Sequence, residues 1–161
     1  MTDVGFSPIA AASVLGMIGL ISSFAKFFFG WLCDIVQVRF AFIITVFLQA
    51  IGTAILLTIT PESPTAIIWF YAFAIGAGGG SWLPIMSMYI SRNFPMKYYG
   101  SLIGIVNFIF SIGVATGPLF AGYLFDLKGS YQLAFTIFLA CYATAAILGF
   151  LSKSKPDFSF G

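Results

Sequence analysis

Residues 22–34 read SSFAKFFFGWLCD, and Lys26 is the only charge in the run before Asp34. On its other side the nearest charge is Asp3. A lysine at the centre of an apolar helix costs roughly 2.5–3.5 kcal/mol on insertion scales, so such a residue is retained where it acts on a solute, an ion or a counter-charge. The competing reading is snorkelling. Lys26 lies about two turns from the end of its apolar run, and a lysine stem covers part of that distance. Little else in the sequence can do chemistry. Histidine is absent, and Cys33 and Cys141 have no metal-ligand spacing and sit in or beside apolar runs. No Gly-x-x-x-x-Gly-Lys-Ser/Thr loop is present, so ATP coupling within this chain is excluded. No nucleophile–base pair or paired intramembrane carboxylates support an enzyme, and no cofactor is expected. With no Asp or Glu in the apolar runs, a proton site lies elsewhere or involves Lys26.

The elements that must position Lys26 are membrane helices. Charged residues make up 7% of the 161 positions and hydrophobic ones 60%. A soluble domain carries about 25% charge, so a water-facing surface cannot be built from this composition. The net charge of +2 is too small to suggest nucleic acid. Five apolar runs reach the ~20 residues that a bilayer core requires: Phe6–Leu32, Phe40–Ile59, Ala66–Ile90, Leu102–Phe125 and Leu133–Leu151. They are twice the length of barrel strands and do not alternate, so the expected fold is all-α and polytopic, with five transmembrane helices. Arg39, Arg92, Lys97, Lys153 and Lys155 fall on one side of these spans, whereas the other side holds Lys128 alone. The positive-inside rule then predicts an outside N-terminus and a cytoplasmic C-terminus, in a plasma or inner membrane.

Two stretches repeat. Gly30-Trp-Leu-Cys-Asp34-Ile ends the first span and Gly122-Tyr-Leu-Phe-Asp126-Leu ends the fourth, on opposite sides of the membrane. Related segments of opposite orientation mark inverted-topology repeats in transporters; chance coincidence of loose residue classes is the alternative. If the repeating unit is three helices, spans three to five form one unit, and spans one and two are the last two helices of another. The chain then reads as a half-transporter without its opening span.

Glycines cluster in AIGAGGGSWLP, where Gly76, Gly78, Gly79 and Gly80 share a helix with Pro84. Each costs about 1 kcal/mol against alanine, so close helix packing or a bendable segment must offset them. Gly100 and Gly104, and Gly113 and Gly117, are small-xxx-small pairs expected at helix contacts, and Pro118 is expected to kink its helix.

These residues resemble the major facilitator superfamily. Gly30-x-Leu32-x-Asp34 with Arg39 is similar to the family's cytoplasmic loop signature, although Ile35 and Gln37 depart from it. Gly113-Val-Ala-Thr-Gly117-Pro118-Leu-Phe-Ala-Gly122 resembles the family's glycine–proline helix. Asp126-Leu-Lys-Gly129-Ser-Tyr131 resembles an outside loop of the monocarboxylate and oxalate/formate branches. The resemblance implies a partial half-bundle, helices eight to twelve, whose missing N-terminal helices belong to the same carrier. It implies secondary, alternating-access transport of a small organic anion, by symport or antiport. Lys26 stands where those branches place a cavity arginine, four residues before Gly30. Spans one, three and four would line the cavity, so Asn107, Trp82 and Tyr71 become candidate solute contacts beside Lys26. For Asn107 an interhelical hydrogen bond is the alternative. Gly30, Asp34 and Arg39 would form the cytoplasmic loop and gate, or a solvated contact worth ~0–1 kcal/mol. Gln49 and Thr53 fall on a peripheral span and read as packing groups. A truncated or non-transporting membrane subunit is the alternative to a carrier.

Overall fold

The computed structural model describes residues 8–60 and 63–151. Its helices are α1 (Pro8–Ile35), α2 (Val38–Thr58), α3 (Thr65–Gly80), α4 (Trp82–Asn93), α5 (Tyr99–Lys128) and α6 (Gln132–Leu151), with a 3₁₀ turn at Met96–Tyr98. Among the described residues, five runs are long and apolar enough to cross a membrane, the third being α3 and α4 together, Thr65–Asn93. The fold is therefore an all-α bundle of five candidate spans. Phe6 and Ser7, the 61–62 segment, and Lys153 and Lys155 lie outside the described residues.

The sequence predicts one unbroken third span, and the structure divides it at Ser81. Pro84 has no N–H, so the carbonyl of Gly80 loses its helical donor, and the proline ring crowds the same carbonyl. Regular bonding resumes one residue later, where Ile85 N–H donates to Ser81 O at 3.2 Å. The Ser81 side chain is fully buried and donates to Gly78 O at 2.6 Å, satisfying its hydroxyl inside the break. Pro118 has a milder outcome, since α5 is assigned as one helix through it. α5 ends where Gly129, at φ 65°, takes a left-handed cap that L side chains disfavour, and its N–H donates to Phe125 O at 2.7 Å.

Short turns at 36–37 and 94–98 define one end of the bundle, which holds Arg39, Arg92 and Lys97. This is called the basic end below. α3 is seated between α1 and α2, α4 continues its path, and α6 packs on α2. A core of Ala25, Phe29, Cys33, Val38, Ala41, Ala77 and Ile85 joins α1, α2, α3 and α4, and Val14, Ile68 and Ala72 close the far end. α5 stands apart, touching α4 and α6 while burying none of its own residues. Lipid is as apolar as leucine, so close packing, not burial from water, holds such helices together.

Candidate functional site

α1 carries three stripes, each built from the three- and four-residue spacings of one helix face. Val14, Ile18, Ile21, Ala25, Phe29 and Cys33 face α3, α4 and the core. Met17, Leu20, Phe24, Phe27, Trp31 and Ile35 form a bulky exposed stripe, with Phe24 and Phe27 75% and 81% exposed. The third stripe is Ala12, Gly16, Gly19, Ser23, Lys26 and Gly30. All six are exposed or partly exposed, and a Cβ added at Gly16 or Gly19 would meet nothing within 4 Å. The bulky stripe suits acyl chains. The small stripe leaves space around the one cation of the helix. Ser23 turns its hydroxyl back to Gly19 O at 3.0 Å, which leaves Lys26 as the stripe's charged group. α1 also runs to Ile35, past the predicted Leu32, so Lys26 is nearly a turn further from the helix end than the apolar run implied.

The other candidate solute contacts are spread over three helices. Asn107 is half-buried on α5 and donates an amide N–H to Ile103 O of its own helix at 2.9 Å. Trp82, the first residue of α4, stacks on Phe110 of α5 with centroids 4.8 Å apart and planes at 16°. Tyr71 on α3 packs beside Val14, Ile68 and Ala72. It also lines a cavity of about 650 Å³ with Val14, Leu15, Ile18, Phe125 and Tyr131, at the end opposite the basic turns. A second cavity, about 420 Å³, lies at the basic end among Arg39, Phe42, Tyr89, Leu102, Val106 and Leu148. Lys26, Asn107 and Trp82 line neither cavity. Among the described residues, then, these four side chains do not converge on a closed pocket. α1, which carries Lys26, packs on α3 and α4, whereas α5, which carries Asn107, packs on α4 and α6.

At the basic end, Gly30 faces Pro84 of α4, where an added Cβ would make an ordinary contact of 4.0 Å with Pro84 Cβ. Asp34 is exposed in the last turn of α1. Arg39 is half-buried, with its guanidinium carbon 5.3 Å from the Phe40 ring centroid.

The glycines fall into two sets. Gly76 and Gly80 lie directly against α1. A Cβ at Gly76 would come within 2.9 Å of Ile21 Cβ and 3.0 Å of Ile18 O. A Cβ at Gly80 would overlap the Ser22 carbonyl oxygen and lie 2.6 Å from Ser22 Cα. Gly78 and Gly79 face Gln49 of α2, whose Cγ would be 2.8 Å from a Cβ at Gly78. Gly113 and Gly117 on α5 face open space, with nothing within 4 Å of an added Cβ, and Pro118 beside them is exposed. Sequence reading passed over Ser22. Its hydroxyl reaches across from α1 and donates to the Gly76 carbonyl oxygen at 2.9 Å. A serine placed to meet a glycine-rich helix was the available signal, since only small residues let a hydroxyl reach a neighbouring backbone.

Among the described residues, five stretches long and apolar enough to cross a bilayer, joined by a small-residue seam, define an integral membrane protein. Residues 1–159 match the Major Facilitator Superfamily, and the chain belongs to that family of transporters, not to an enzyme family. It is similar to monocarboxylate transporter 13 of Bos taurus, 25% identical over 137 residues, covering 85% of this chain and 32% of the relative. Monocarboxylate transporter 12 of Rattus norvegicus is 23% identical over 155 residues, covering 95% and 32%. Monocarboxylate transporter 12-B of Danio rerio is 24% identical over 143 residues, covering 88% and 29%. The chain thus spans about a third of the length of the curated relatives it matches. No solved structure gives a significant match.

Proposed function

We propose that this chain forms helices eight to twelve of a secondary transporter that moves small organic anions of the monocarboxylate type by alternating access. The observation that carries this reading is Lys26 on the small stripe of α1, apart from both the packed face and the bulky face. An ammonium with room around it attracts a carboxylate, and a midplane position puts it where such carriers bind solute. The names of the similar proteins support the same solute class. Asn107 adds the second N–H of its carboxamide as a neutral donor from the α5 wall. Gly30, Asp34 and Arg39 act at the cytoplasmic gate, and the break at Ser81 gives the α3–α4 span a point of bending.

Five helices supply one wall of the cavity that alternating access requires. Purified chain of 161 residues in liposomes is therefore expected to show no saturable uptake of a labelled monocarboxylate such as lactate above empty vesicles. A carrier extended to the length of the relatives is expected to show it. Saturable uptake by the short chain alone would overturn the reading as part of a larger carrier, and its absence from the extended carrier would overturn the solute class.

Orientation has its own test. Single cysteines at Ser63 and Ser154, in a background without Cys33 and Cys141, are expected to react with an impermeant thiol reagent from opposite sides, Ser154 from the cytoplasm. Labelling of both from one side contradicts the topology.

A further inference from the structure

The 420 Å³ cavity at the basic end is bounded by four helices, α2, α4, α5 and α6. Arg39 and the Tyr89 hydroxyl supply its polar side-chain groups, and the rest of its wall is apolar. The apolar wall runs inward. Ile85 lies eight residues inside the end of α4 at Asn93, and Val106 seven inside the start of α5 at Tyr99. At 1.5 Å per residue the lining reaches about 10–12 Å from the basic turns. Phe94 and Leu148 remain 46% and 62% exposed, so the cavity is open beside them.

Charge sets this cavity apart. Arg39 stands in the first turn of α2, half-buried, with its Nε enclosed by the protein. The start of α2 has no side-chain cap and no acidic residue, so the helix dipole adds positive potential there. Arg92 and Lys97 lie at the same end, where Asp34 is the one acidic group among the described residues. The 650 Å³ cavity at the opposite end has no charged residue in its lining.

We propose that the basic-end cavity binds an anionic phospholipid from the adjoining leaflet, with the phosphate on the Arg39 guanidinium and one acyl chain laid along Phe42, Ile85, Val106 and Ala145. The planar fork of arginine matches two phosphate oxygens at once. Basic pockets between membrane helices hold anionic head groups in the same way. The walls set the other half of the ligand. A small hydrated anion would lose its water against these side chains and gain nothing from them, whereas an acyl chain fills the space with contacts. Lys26 and Asn107 do not line the cavity, so the lipid is separate from the solute. Bound there, it joins α5, which buries none of its own residues, to α2, α4 and α6. The proposal rests on the cavity and the charge at its edge, and on neither the identity of the solute nor the orientation of the chain.

Native mass spectrometry of the carrier at the full length its gene encodes reads the site. The probes are dioleoylphosphatidylglycerol, dioleoylphosphatidylcholine with the same chains, and inorganic phosphate. One phosphatidylglycerol is expected to be held at least about tenfold more tightly than phosphatidylcholine, the difference made by one charge-assisted contact. Phosphate is expected neither to bind nor to displace it. Arg39→Gln is expected to bring phosphatidylglycerol down to the phosphatidylcholine level, while Arg39→Lys keeps part of the preference. Val106→Trp leaves Arg39 in place but fills the inner end, and is expected to weaken both lipids. A measurement on the wild-type carrier is independent of any folding defect in the variants. Phosphatidylglycerol with a diazirine in its acyl chain is expected to label α5 around Leu102 and Val106 and α6 around Ala145 and Leu148. Unlabelled phosphatidylglycerol competes for that labelling and phosphatidylcholine does not. Equal retention of the two lipids, an unchanged preference in Arg39→Gln, displacement by phosphate, or label spread evenly over the helices would each overturn the proposal.

Discussion

Gly80→Ala lowers the melting temperature of the detergent-solubilised chain, while Gly16→Ala leaves it unchanged or raises it. Both substitutions add one methyl group inside a helix, and both gain up to about 1 kcal/mol of helix propensity. They differ in what the methyl meets. At Gly16 it meets open space. At Gly80 it overlaps the backbone of Ser22, which cannot rotate away as a flexible side chain would. α1 and α3 must then separate. That separation loosens the Ser22–Gly76 hydrogen bond of 2.9 Å and the contacts of Ile18 and Ile21 on the same seam. Overpacking of this kind costs roughly 1–3 kcal/mol, and in lipid no hydrophobic force between the helices offsets it. Gly76→Ala, which crowds Ile21 and Ile18 less severely, is expected to fall between the two. Thermal melting followed by loss of monodisperse protein on a sizing column orders the three variants. Equal melting of Gly80→Ala and Gly16→Ala would mean that α1 and α3 do not meet at Gly80.

The five spans were legible in the sequence because lipid demands a run of fixed length, and that run is visible in any one chain. Their ends were less so. α1 continues to Ile35 and α5 begins at Tyr99, because helices extend through polar residues until a turn or a left-handed glycine such as Gly129 stops them. Pro84 announced trouble in the third span, but the break falls at Ser81, where the proline's missing N–H is felt. The glycines of α3 and α5 look alike in sequence. Only the structure separates Gly76 and Gly80, which carry a neighbouring backbone, from Gly113 and Gly117, which carry none among the described residues. The stripe that holds Lys26 is in principle readable from spacing alone. Its distinction from the bulky stripe needs exposure, however, because glycine, alanine and serine serve equally as packing and as space. Trp82 shows the same limit, its ring lying against Phe110 through a contact between residues far apart in sequence.

Lys26→Gln abolishes saturable monocarboxylate uptake by the complete carrier, and Lys26→Arg retains part of it. Glutamine preserves much of the side chain's length and its hydrogen bonding but removes the charge. Truncating one partner of a desolvated charge pair costs about 2–5 kcal/mol, so uptake at limiting solute falls at least ~30-fold. Arginine keeps the charge but brings a planar, wider head, which changes the geometry of carboxylate binding. Insertion cannot account for the loss, because glutamine relieves the roughly 2.5–3.5 kcal/mol that a lysine within an apolar span costs. The amount of Lys26→Gln protein in the membrane is expected to equal or exceed wild type.

The most direct test is therefore a paired measurement on Lys26→Gln in the full-length carrier: initial rates of labelled lactate uptake across a concentration series, normalised to carrier in the membrane. Flat, non-saturable uptake at undiminished membrane abundance is the predicted result. Saturable uptake with the wild-type rate and half-saturation would show that Lys26 only reaches for the interface, and would contradict its assignment as the anion-binding charge.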